Sequence, residues 1–196
     1  NSDVNMAITD VATPKSKDTT EVLWAKRFGT SGADNPSVQI IVEDGLITMV
    51  NKNLYKLDLH TGEILATGTM VQASSYGYTP PTYAEGMIFV PLGNGTVQAF
   101  NAKTLESLWV YSDPLKGQAQ TPIMYSDGCI YTGFWTSDTK DANFVRLTVT
   151  DEDPTQTNEA KTASWTLPVT GGFYWAGPVV VEDAVIFGSG AHKVYA

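Results

Sequence analysis

Cysteine is almost absent from this chain: Cys129 stands alone among 196 residues. No internal disulfide, paired-thiol motif or thiolate metal cluster is therefore available, and cysteine pairing says nothing about compartment. Positive charge is also scarce, with 12 Lys and Arg against 21 Asp and Glu, a net charge of -9. Such a chain repels phosphate backbones and anionic lipid, so nucleic acid is not an expected partner. Long hydrophobic runs are missing too. The segment Gly177 to Gly188 is broken by Glu182 and Asp183 and falls far short of the roughly 20 residues that span a bilayer, so no transmembrane segment is expected. No basic, then apolar leader opens the sequence, which leaves an intracellular protein or one whose signal peptide has been removed. An abundance of Thr, Ser, Asn, Tyr and Gly favours the second, hence an extracellular or cell-surface location, or the periplasm of a Gram-negative cell.

What is present is repetition. The hydrophobic fraction of 42% supports a core. The phrase acid, Gly, apolar recurs around Gly45, Gly86 and Gly128, with a degenerate copy at Ala184, at spacings of 41, 42 and 56. A second marker keeps step: Trp24, Ala66 in place of a Trp, Trp109 and Trp165 are separated by 42, 43 and 56. The extra length of the third unit lies in polar residues 150–163, which read as a loop insertion, and in a second lengthening over residues 135–143.

Within each unit the hydrophobic period is two, in short runs rich in β-branched and aromatic residues, with Asp127-Gly128 as a hairpin signal. Four strands per unit of about 42 residues is the period of a β-propeller blade. The expected fold is all-β: four-stranded antiparallel blades, about four of them, over residues 36–69, 78–112, 120–168 and an incomplete 176–196. Residues 21–28 are expected as a fourth strand without its first three. Residues 1–20 read as a polar leader or linker with room for one strand at residues 6–11.

The segments Leu54 to Ala66, Val97 to Trp109 and Lys193 to Ala196 resemble the pyrroloquinoline-quinone-like (PQQ-like) propeller repeat, over about Glu21 to Ala196. That family includes quinoprotein dehydrogenases, outer-membrane assembly lipoproteins and bacterial surface proteins. The resemblance implies rings of seven or eight blades, so four blades make about half a ring. It also implies that Trp24, Trp109 and Trp165 pack between neighbouring blades, with Ala66 packed differently. Asp58, Asn101, Thr61 and Thr104 read as turn formers. Either the chain is a fragment of a longer propeller, or two copies pair as half-rings; an isolated arc is not expected to be a stable monomer.

In propellers the loops before the first strand and between the second and third gather on one face. Here they carry Tyr76, Tyr78, Gln118, Gln120, Phe134, Trp135, Phe173, Tyr174 and Trp175, a mixture of aromatic faces and amides suited to a glycan or peptide. The alternative use of those aromatics is to fill seams between blades. Asp138, Asp141 and Asn143 are weak metal candidates without an ion-binding spacing, so no metal is expected. His60 and His192 are isolated, and Asn94-Gly95-Thr96 fits both a glycosylation triplet and a hairpin turn.

A non-catalytic binding or scaffolding module of a secreted or surface protein is therefore expected, with no cofactor. A PQQ-dependent dehydrogenase fragment is the first alternative. The resemblance would require an adjacent cysteine pair and a calcium set in that case; Cys129 is alone and no residues map to the calcium positions. A subunit of an envelope-assembly machine is the other alternative.

Overall fold

The computed structural model describes residues 16–73 and 79–196. Sixteen strands follow one another with no α-helix among the described residues. The first blade contains β1 (Ile40–Val42), β2 (Gly45–Val50), β3 (Asn53–Asp58) and β4 (Ile64–Thr69), hydrogen-bonded in that order. The second contains β5 (Thr82–Ala84), β6 (Met87–Leu92), β7 (Thr96–Asn101) and β8 (Ser107–Ser112). In the third, β9 (Met124–Ser126), β10 (Cys129–Gly133), β11 (Asp141–Thr148) and β13 (Trp165–Thr170) form the sheet; the last has β14 (Val179–Val181), β15 (Ala184–Gly188) and β16 (Val194–Tyr195). Antiparallel up-and-down sheets of this kind, repeated in sequence order, are the blades of a propeller.

The turns explain the repeated phrases. Between the first and second strands, Glu85 and Gly86, and again Asp127 and Gly128, both take positive φ, the type I′ geometry that matches strand twist. After the third strand, Asp58 accepts the amides of His60 and Thr61 at 2.9 and 2.7 Å, and Asn101 those of Lys103 and Thr104 at 2.9 and 3.1 Å. These are Asx turns. Next comes a left-handed residue, Gly62 in the first copy and Leu105 in the second. Leu105 accepts that strain and buries its side chain in the seam between the first two blades.

Core sits between the blades. One cluster joins blades one and two through Ile47, Leu54, Ile88 and Phe100; another joins two and three through Phe89, Trp109, Phe134 and Val145; a third joins three and four through Phe144, Phe173 and Phe187. Each fully buried large side chain contributes about 1.5–3 kcal/mol, so the seams hold the arc together.

A polar latch runs through these seams. The Trp24 indole donates to Leu59 O at 3.0 Å and the Trp109 indole to Val149 O at 3.2 Å. Both acceptors are the first residue after the third strand of the next blade. The corresponding acceptor in blade two is Ala102 O, and the outer-strand position that corresponds to the two tryptophans is Ala66. There the ammonium of Lys56 donates instead, at 3.2 Å, and pairs with Glu43 at 3.4 Å. In blade two the third-strand position of Lys56 is Ala99, beneath Trp109. Large and small have exchanged strands: Lys over Ala in blade one, Ala under Trp in blade two.

Two expectations are corrected. Residues 21–28 form no strand; the segment instead docks through side chains, Trp24 against Gly62 and Phe28 against Tyr55 at 4.9 Å. Extended backbone becomes a strand only by pairing, and no neighbouring strand lies beside it among the described residues. Residues 150–163 are more than a loop: they contain β12 (Glu159–Lys161), which crosses from blade three and pairs in parallel with β8, giving blade two a fifth strand. The strand expected at residues 6–11 lies outside the described residues.

Candidate functional site

The loops that follow the outer strands and those between second and third strands share one face, and backbone pairing ties them together. Gln118 and Trp135 exchange backbone hydrogen bonds at 2.6 and 3.0 Å; Phe173 N donates to Phe134 O at 2.8 Å and Trp175 N to Gln120 O at 3.3 Å. Close approach depends on glycine. A Cβ at Gly133 would sit 2.5 Å from the Phe173 Cβ, and Gly172 takes positive φ while a Cβ there would meet Phe134 O at 2.7 Å.

Three rings meet on this platform. Trp135 lies edge-on to Tyr174, with centroids 5.7 Å apart, and Tyr174 is perpendicular to Trp175 at 4.9 Å. Trp175 is 74% exposed and holds φ at 65°, a conformation that bulky L-residues avoid. Beside them Gln120 donates its amide to the Gln118 side chain at 2.8 Å, which fixes both amides, and the Trp135 indole reaches Asp138 at 3.4 Å.

Beneath the platform lies a buried polar knot absent from the sequence reading. Asp113 accepts from the Tyr111 hydroxyl at 3.0 Å, the Asn143 amide at 2.8 Å and Leu115 N at 3.0 Å. Burial, and then the Asp113 charge, push the Tyr111 phenol well above its ordinary range, so it remains a neutral donor. The signal in sequence was the Tyr-x-Asp at the exit of an outer strand, but its meaning needed Asn143, 30 residues away. Two further hydroxyls in these loops, Thr121 Oγ1 and Thr136 Oγ1, are buried without a partner among the described residues.

The nine residues expected at the loop face divide into three groups. Gln118, Gln120, Trp135, Tyr174 and Trp175 come together as described, all at least partly accessible. Phe134 and Phe173 do not join them: both are buried in inter-blade clusters and offer no surface to a ligand, which corrects that assignment. Tyr76 and Tyr78 lie outside the described residues. The weak metal candidates are also separated, because Asp141 accepts from Thr170 at 2.6 Å, Asn143 turns to Asp113, and Asp138 faces Trp135. Among the described residues no three His, Cys, Asp or Glu side chains gather to hold a metal ion, and no helix is long and apolar enough to cross a membrane.

The shelf presents aromatic faces for stacking beside amides held by hydrogen bonds. Comparison with solved structures gives the same architecture. BamB from Moraxella catarrhalis aligns with a TM-score of 0.52 at 15% identity, covering 74% of this chain and 44% of that one. A europium-containing methanol dehydrogenase aligns at 0.56 and 14% identity, over 76% of this chain and 27% of that one. The computationally designed Ika4 protein aligns at 0.53 and 12% identity, over 88% of this chain and 97% of that one. At these identities the likeness is one of fold, and the chain spans less than half the length of the first two. No curated protein matches. A family model described as outer membrane protein assembly factor BamB matches residues 15–196, nearly the whole sequence, and the protein belongs to that PQQ-repeat propeller family.

Proposed function

We propose that this chain is a non-catalytic binding or scaffolding module of a protein that works outside the cytoplasm, at the cell surface or in the periplasm, and that it holds a glycan on the shelf formed by Trp135, Tyr174 and Trp175. The observation that carries this reading is Trp175, an exposed indole kept at a positive φ. Backbone strain of this kind costs about 1–3 kcal/mol and clusters at ligand-binding positions. Stacking on an indole face, with Gln118 and Gln120 as fixed donors and acceptors beside it, is the chemistry that recognises sugar rings.

A second reading, a scaffold in envelope assembly that holds polypeptide on the same face, is favoured by the family match. A dehydrogenase role has less support, since Cys129 is single and buried and the adjacent-cysteine ring implied by the enzymes of the family has no counterpart. Glycan and peptide arrays probed with the chain and with Trp175→Ala distinguish these readings. Glycan signal lost in the variant supports the first and peptide signal lost in the variant the second. A flat response on both arrays would sink the proposal.

A further inference from the structure

Resting on the glycan reading of the shelf, we propose that its ligand is acidic: a uronate-bearing oligosaccharide whose carboxylates are met by Lys116 and Lys140.

Net charge conceals how the charges are distributed. At the end of the blades opposite the shelf, the hairpins between first and second strands carry exposed carboxylates: Glu43, Asp44, Glu85, Asp127, Glu182 and Asp183. Of these, only Glu43 forms an ion pair among the described residues, with Lys56 at 3.4 Å. The shelf's own end is the reverse. Its loops, those after the outer strands and those between second and third strands, carry the exposed lysines Lys52, Lys116, Lys140 and Lys193. None of them is in an ion pair among the described residues. The carboxylates of this end are already engaged. Asp113 is buried and accepts from Tyr111, Asn143 and Leu115 N, Asp138 accepts from the Trp135 indole, and Asp141 accepts from the Thr170 hydroxyl. In a chain of net charge -9, an anion is therefore repelled at the hairpin end and received at the shelf end.

Two of these lysines belong to the loops that build the shelf. Lys116 leads into Gly117 and Gln118 through a turn in which its own N–H donates to Asp113 O at 3.1 Å. It holds φ at 55°, a region where glycine is the unstrained residue. Lys140 lies in the loop of Trp135, and its carbonyl accepts Gly171 N at 3.0 Å, where the segment carrying Tyr174 and Trp175 begins. One lysine thus flanks the amides and the other the rings. A uronate has an apolar ring face and a carboxylate at its edge, so stacking on an indole leaves the carboxylate at the rim of the shelf. Lysine, a point charge on a flexible stem, meets an anion there without needing a fixed geometry.

The test titrates the isotope-labelled chain with matched pairs of sugars, oligogalacturonate and oligomannuronate, each beside its carboxyl-reduced neutral form. The Trp135 and Trp175 indole N–H resonances report binding. The acidic member of a pair should bind roughly three- to ten-fold more tightly than its neutral form at low ionic strength, and should lose most of that advantage at high salt. Lys116→Gln and Lys140→Gln, both at exposed positions, should each narrow the difference roughly two- to three-fold. Neutral sugars that bind as tightly as acidic ones, or an acidic preference that survives both lysine variants, would overturn the acidic assignment and leave the glycan reading standing. Two indoles that stay still with every sugar would overturn the glycan reading and the acidic assignment together.

Discussion

Exchange of the seam latch gives a quantitative prediction. Lys56 is 7% exposed, and its stem lies where a Cβ on Gly45 would come within 2.5 Å of Cε. Lys56→Ala removes three buried methylenes, roughly 2 kcal/mol at about 0.8 kcal/mol each. It also leaves Ala102 O without its donor, which costs about 1–3 kcal/mol, while the pair with half-exposed Glu43 adds little. Recovery of the ammonium's own desolvation cost offsets part of this, so the expected loss is about 3 kcal/mol. Ala66→Trp alone should also destabilise, by about 1–3 kcal/mol, because Lys56 already fills the seam. The double variant reproduces blade two, where Ala99 lies beneath Trp109, and its indole can donate to Ala102 O. It should recover to within about 1 kcal/mol of the parent, a large favourable coupling in a double-mutant cycle measured by urea unfolding. Additive losses, with the double variant the least stable of the four, would refute the idea that lysine and tryptophan are interchangeable latches.

Alkaline pH should weaken the fold through Tyr111. Its folded pKa is raised above that of the unfolded chain, so its contribution is complete below about pH 10 and is lost as pH rises beyond that; urea midpoints should fall there, and Tyr111→Phe should flatten the slope. Trp175→Gly should leave the unfolding midpoint unchanged or slightly raised, because glycine relieves the positive φ, while eliminating ligand binding at the shelf; a loss above about 2 kcal/mol would instead make Trp175 a packing residue. Lys161→Met should free β12, seen as faster amide exchange at residues 159–161 and a red-shifted Trp109 emission with little change in melting temperature.

Repetition made the blades legible, because each hairpin carries its own turn chemistry and period-two pattern within some 40 residues. Pairing over longer distances was not legible. The sequence of residues 21–28 has the alternation of an outer strand, yet strand formation depends on a neighbour that no local pattern supplies. β12 likewise looked like a polar loop, since three residues beside a Pro-containing turn carry no period; its partner is an outer strand about 50 residues earlier. At the loop face, residue type was readable and direction was not. Phe134 and Trp135 are adjacent, but one enters a seam and the other the shelf. The small residues that make room, Gly133 and Gly172, were the available clue. Lys56 was similarly visible as a charge interrupting an apolar strand opposite the one outer position that lacks tryptophan.

The most direct test of the binding account reads the five indole N–H resonances of the labelled chain, from Trp24, Trp109, Trp135, Trp165 and Trp175, during titration with a panel of soluble oligosaccharides. The account predicts that Trp135 and Trp175 move together and saturate while the seam residues Trp24 and Trp109 stay still. Immobile Trp135 and Trp175 throughout the panel, or movement spread equally over all five, would contradict a glycan site on the shelf.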